Sequence, residues 1–186
     1  MRAWRLLLPL TLCLITVAPA NAGVLGPRVL ERGDRGSDVV TLQRVLATDG
    51  FPAGPADGIF GRRTHRAVRR FQRSRGLGVD GRVGPATTRA LAGGWVLRTA
   101  SYYGPGLWGN RTACGQVLRR GLVGVAHRTL PCGTRLAVYT HGRLAIFRVI
   151  DRGPYVSGRW IDLTVAAAQQ LRITSTTSVL DRLVSR

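Results

Sequence analysis

At 186 residues, with 28 basic side chains against nine acidic ones, the chain has room for one ordinary domain or two small ones and carries a formal charge of +19. Every basic residue is arginine and Glu31 is the sole glutamate, a balance that favours polyanionic partners. No H-E-x-x-H or other metal-ligand spacing occurs and no serine lies in a nucleophile context, so neither a metal enzyme nor a serine enzyme is expected, and no cofactor.

The first segment reads as a signal for export. Arg2 and Arg5 form a positive start, Leu6 to Ala18 is almost wholly apolar, and Ala20-Asn21-Ala22 is a small-x-small cleavage site, so residues 1–22 are expected to be a secretory signal peptide. The apolar run falls short of the ~20 residues a spanning helix needs, so no stable membrane anchor is expected. Export sets wall polymers bearing carboxylates and phosphates ahead of nucleic acid as the polyanion. It also removes Cys13, leaving Cys114 and Cys132 to form one disulfide in an oxidising compartment. Closing that loop would add roughly 3 kcal/mol in the chain-entropy model.

Residues 29–92 read as helical. Ser37 is placed to cap a helix in which Val40, Leu42, Val45 and Leu46 make the apolar stripe. A second helix is expected over Arg62 to Arg73, with Thr64, Ala67, Val68 and Phe71 inward, and a third from Pro85 to about Leu91. A repeat of the form D-G-x-apolar-G-x-x-T-x-x-A, starting at Asp57 and again at Asp80, supplies a turn that launches each of the last two helices. After the join Gly93-Gly94-Trp95 the pattern changes. Thr99–Tyr103, Leu122–His127, Thr134–Thr140, Arg143–Asp151, Trp160–Leu163 and Ser178–Val184 are expected strands, with one short helix over Thr164–Leu171. Strands this short, at this spacing, suggest a small barrel over residues 97–186.

That second region has three carboxylates, Asp151, Asp162 and Asp181, so acid/base chemistry there must draw on them and on His127 or His141. With Ile161 and Leu163 in the core, strand alternation puts Trp160 and Asp162 outward together, and an aromatic ring beside a carboxylate suits a sugar site. The same Asp162 would equally serve to steady the following helix. Asp151 ends an apolar strand at a barrel mouth, where it is either a reacting group or the shaper of an Asx turn. His127 is either a tuning imidazole or a structural hydrogen bonder.

Two resemblances join these observations. Gly36–Leu46, Asp57-Gly58-x-Phe60-Gly61, Ala67-Val68-x-x-Phe71-Gln72 and Val79-Asp80-Gly81-x-Val83-Gly84 resemble the peptidoglycan-binding domain type 1, a three-helix module. Ala100–Gly104, Thr112-Ala113-Cys114-Gly115-Gln116, Gly124–Thr134, Val149–Tyr155 and Ile161-Asp162-Leu163 resemble the rare lipoprotein A family, in its order and spacing. The resemblance implies an α + β chain in two domains, the helical module followed by a six-stranded double-psi β-barrel. It implies a secreted, monomeric wall protein that binds peptidoglycan glycan strands, with anionic wall polymers as further partners. It also implies lytic cleavage of the MurNAc–GlcNAc bond with a 1,6-anhydro product. Asp162, Asp151 and His127 fall on the motif positions expected to support catalysis, with either aspartate as the acid/base. Tyr102, Tyr103, Gln116, Trp160 and Tyr155 are the candidate substrate contacts. Gln116 stands where the family often has Glu. Cys114 replaces the motif serine, and Cys132 falls at the matching place in the other motif. The alternative is a non-catalytic, expansin-like protein that loosens or binds the wall.

Overall fold

A computed structural model describes residues 23–185; the expected signal peptide, with Cys13, lies outside the described residues. Three helices come first: α1 (Ser37–Thr48), α2 (Arg62–Ser74) and α3 (Pro85–Leu91). The cap of α1 departs from expectation. Gly36 is the N-cap and Ser37 the first helical residue, with no side-chain capping bond, while the amide of Val39 donates to Asp38 Oδ1 at 2.9 Å. The inward stripe is also shifted by one position. Val39 is fully buried and Val40 only partly, because Leu42, Val45 and Leu46 set the face and Val39 lies three residues before Leu42. In α2 the expected Thr64, Ala67, Val68 and Phe71 are all buried.

The two D-G turns share one clasp. Gln43 on α1 reaches the first: its Nε2 donates to Asp57 Oδ1 (2.9 Å), Ile59 O (3.0 Å) and Thr64 Oγ1 (3.2 Å), and its Oε1 accepts from the Gly58 amide (3.0 Å). Gln72 on α2 makes the same four bonds to Asp80, Arg82, Thr87 and Gly81. Gly58 and Gly81 have φ of +75° and +76°, where a side chain is strained. A Cβ at Gly58 would also stand 2.9 Å from Gly36 O.

The second half is a closed barrel in the order β1-β5-β2-β4-β3-β6. Its strands are β1 (Val96–Tyr103), β2 (Val125–Ala126), β3 (Arg135–Thr140), β4 (Arg143–Asp151), β5 (Ile161–Thr164) and β6 (Thr177–Ser185), and α4 (Val165–Gln170) follows β5. The pairs β1–β5 and β2–β4 are parallel and the other four antiparallel, the mixed closure of a six-stranded double-psi barrel. The expected strand over Leu122–His127 shrinks to two residues. Gly124 donates instead to Thr164 Oγ1, and His127 is drawn into the following turn. Ala100, Val125, Leu136, Val138, Phe147, Val149, Ile161 and Leu163 fill the interior.

The halves are packed together. Leu25, Trp95, Ala137 and Leu144 join the core of the helical module, with Tyr139, Ile146 and Leu180 against it. Leu25 also exchanges backbone hydrogen bonds with Leu144 (2.7 and 3.0 Å), and Arg182 on β6 pairs with Asp49 at the end of α1.

Candidate active site

The register of the barrel brings two carboxylates into one row. Ala126 on β2 pairs with Asp162 on β5 at one side and with Asp151 on β4 at the other. Paired residues on neighbouring strands share a face, so both side chains rise beside the small Ala126 methyl, with their Cα atoms about 10 Å apart across two strand spacings. Tyr103 on β1 stands near them. Above this row lies a pocket of about 510 Å³, lined by both aspartates, Tyr103, Ala126 and Tyr155, and by the β1–β2 loop, chiefly Asn110, Arg111 and Thr112.

Each carboxylate is anchored through one oxygen. Asp151 Oδ1 accepts from the amides of Ala113 and Arg152, both at 2.8 Å. Asp162 Oδ1 accepts from the Ser101 hydroxyl, its register partner on β1. The T-A-C-G-Q motif therefore works through a backbone amide, holding Asp151 from the loop above. The Cys114–Cys132 disulfide (S–S 1.99 Å) ties that loop to the turn before β3. Tyr103 Oη is buried without a well-formed hydrogen bond. Its phenol is pushed above the usual range, first by burial, then by the negative charge of Asp151 and the hydroxyl's approach to that carboxylate, and last by the charge of Asp162.

Tyr155 is 83% exposed at the pocket rim, an aromatic face open to a ligand. Two arginines brace its loop: Arg128 donates to the carbonyls of Pro154 and Val156, and Arg152 to that of Leu130 (3.0 Å).

The other expected site residues lie elsewhere. His127 follows Ala126, so alternation turns it off the carboxylate row. It is only 3% exposed and does not line the pocket. Its Nδ1 accepts from the amides of Thr129 (3.2 Å) and Leu130 (3.0 Å), which assigns the proton to Nε2. Burial, with the charges of Arg152, Arg128 and Arg98, pushes the imidazole below its ordinary value, so it is neutral. Trp160 precedes β5, so alternation does not fix its direction. Its ring meets His127 edge-on at 4.8 Å, lies under the Arg98 guanidinium, and donates from Nε1 to Asp181 at 3.1 Å. Asp181 is 5% exposed, and burial raises its carboxyl against the opposing pull of Trp160 and Arg98. Tyr102 pairs with Leu163 instead of Asp162 and reaches the Thr174 carbonyl at 3.3 Å. Gln116 is exposed and closes a turn with Thr112, outside the pocket lining. The loop residues Leu107, Asn110 and Arg111 line the pocket without having been singled out by sequence. They sit among glycines, with no periodicity to mark them.

Comparison with known proteins fits this division. A family model for a peptidoglycan binding domain matches residues 35–91, and one described as "Lytic transglycolase" matches residues 98–180. A curated protein of Synechocystis named "Probable endolytic peptidoglycan transglycosylase RlpA" is 44% identical over 92 residues, 48% of this chain and 27% of its own length. The "Endolytic peptidoglycan transglycosylase RlpA" of Yersinia pestis is 44% identical over 82 residues, 43% of this chain and 23% of its own. A "Spore cortex-lytic enzyme" of Bacillus cereus is 39% identical over 82 residues, 44% of this chain and 32% of its own. The chain thus spans between 23% and 32% of the length of these relatives.

Proposed function

We propose, for a chain that joins a peptidoglycan-binding domain to a lytic transglycolase domain of the rare lipoprotein A type, that it is an exported wall enzyme cutting peptidoglycan glycan strands. Residues 29–92 tether it, and the barrel over residues 97–186 cleaves the MurNAc–GlcNAc bond. The observation that supports this reading is the pair of aspartates in one pocket, each anchored through its Oδ1.

The chemistry needs no external nucleophile. A protonated carboxyl, of Asp151 or Asp162, gives its proton to the glycosidic oxygen as the bond from the MurNAc anomeric carbon breaks. The C6 hydroxyl of that same MurNAc attacks the anomeric carbon, and its proton passes to the carboxylate just formed. The acid is restored, one strand ends in 1,6-anhydro-MurNAc, and the other carries a free GlcNAc hydroxyl. The second aspartate, ionised, stabilises positive charge on the sugar ring in the transition state. Tyr155 offers a stacking face, and Tyr103 a hydroxyl beside both carboxylates. His127 acts from behind β2 as a positioning residue, its ring holding the turn of Thr129 and Leu130.

Asp151→Asn and Asp162→Asn are expected to lower the release of fragments from purified peptidoglycan by about 100-fold or more, with sedimentation on the wall unchanged. Full release by both variants would remove the proposal. Binding by the wild-type chain with no bond cleavage would favour an expansin-like protein that loosens the wall without cutting it.

A further inference from the structure

The helical module carries a second cleft, of about 590 Å³, on the face of α2 turned away from its core. Arg63, Arg66, Arg69, Arg70 and Arg73 line it, with Pro52 and Gly54 opposite. The spacing of three and four residues keeps these side chains on one side of the helix, in a stripe about 15 Å long. All five are exposed, and no acidic residue lies in α2 or lines the cleft. Among the described residues none of the five forms an ion pair, although Arg28, Arg82, Arg98 and Arg182 each do. Arg70 alone is held, by a 3.4 Å hydrogen bond to the Pro52 carbonyl. Five like charges side by side repel one another, and among the described residues no carboxylate pairs with them. Meanwhile Thr64, Ala67, Val68, Phe71 and Gln72 supply the packing of the same helix, so the arginines are not required to fold it.

We propose that this stripe binds a phosphodiester-linked anionic polymer of the wall, a ligand separate from the glycan strand in the barrel. The guanidinium fork matches phosphate oxygens in pairs. A row of cations some 15 Å long is complementary to an anion repeated along a chain, which a phosphodiester backbone provides at every unit. The assignment of a wall source rests on the wall reading given above. Loading on such a polymer would hold the protein near its substrate without occupying the pocket of Asp151 and Asp162.

The test measures binding of the full chain to a glycerol-phosphate polymer over a range of salt. It then compares retention on intact walls with retention on walls chemically stripped of phosphodiester polymers. The wild-type chain is expected to bind the polymer with a log–log salt slope of about −3, as displacement by four to five phosphates requires. The triple variant R66Q/R70Q/R73Q is expected to drop the slope to about −1.5 and, on intact walls, to fall to the lower retention that the wild type shows on stripped walls. It should match the wild type on stripped walls, in circular dichroism and in glycan cleavage. Replacing the same three by lysine keeps the charge without the fork, and is expected to hold the slope near −3 while binding less tightly than the wild type. Equal binding to polyglutamate would overturn the phosphodiester assignment, and binding to single-stranded DNA without binding to glycerol phosphate would overturn the wall source. Unaltered retention of the triple variant on intact walls would overturn the proposal whole. Loss of binding to stripped walls by the wild type would instead count against the peptidoglycan reading.

Discussion

Asp151 and Asp162 differ in what holds them: two amides from a loop for the first, a hydroxyl from a neighbouring strand for the second. Substitution at either by asparagine preserves shape and those anchors while removing the proton carrier, which is why that exchange separates chemistry from folding. His127 makes a different prediction. It is buried, neutral and below its ordinary pKa in the folded chain. The unfolded chain therefore takes up a proton near pH 6.5 that the folded chain refuses, and stability falls as pH drops below that value. The slope from this one residue is up to about 1.4 kcal/mol per pH unit. Denaturant unfolding between pH 7 and pH 5 should show it, and His127→Gln should flatten it. At this scale sequence carried the argument part of the way. The carboxylates were legible because so few acids exist in the barrel. The direction of Trp160 was not, because it precedes the strand and its ring follows Asp181, an acid 21 residues later that no local pattern couples to it.

The repeated D-G turns were legible as elements, down to the helices they launch, since Asp, Gly, Thr and Ala recur at matching offsets. The glutamines that lock them were not. Gln43 and Gln72 stand 14 and 8 residues before their aspartates, so the clasp has no constant spacing for a residue pattern to show. Gln72→Ala strips one donor from three acceptors and leaves the Gly81 amide unpaired in a buried place. It is expected to cost about 2–4 kcal/mol in equilibrium unfolding, against less than about 0.5 kcal/mol for the exposed Gln169→Ala. The β1–β2 loop gives the complementary lesson. Its T-A-C-G-Q motif drew attention to Gln116, yet the part that reaches the site is the amide of Ala113, and a backbone group leaves no mark in a residue pattern. The disulfide expected from the cysteine count pins this same loop next to that amide.

Taken whole, the molecule is two folds sharing a seam. The passage from helices to strands after Gly93-Gly94 was legible as a change of periodicity, but the contact across it was not. Leu25 and Leu144 are 119 positions apart in an apolar cluster that also takes in Trp95, and pairing at that distance is visible only in three dimensions. Among the described residues no helix is long and apolar enough to cross a membrane. The barrel is seated on the helical module through this apolar cluster and the Arg182–Asp49 pair. The most direct test of this account is mass spectrometry of purified peptidoglycan after incubation with the chain. Fragments ending in 1,6-anhydro-MurNAc, absent when Asp151 and Asp162 are both asparagine, are the predicted result; intact glycan, or fragments with ordinary reducing ends, would contradict it.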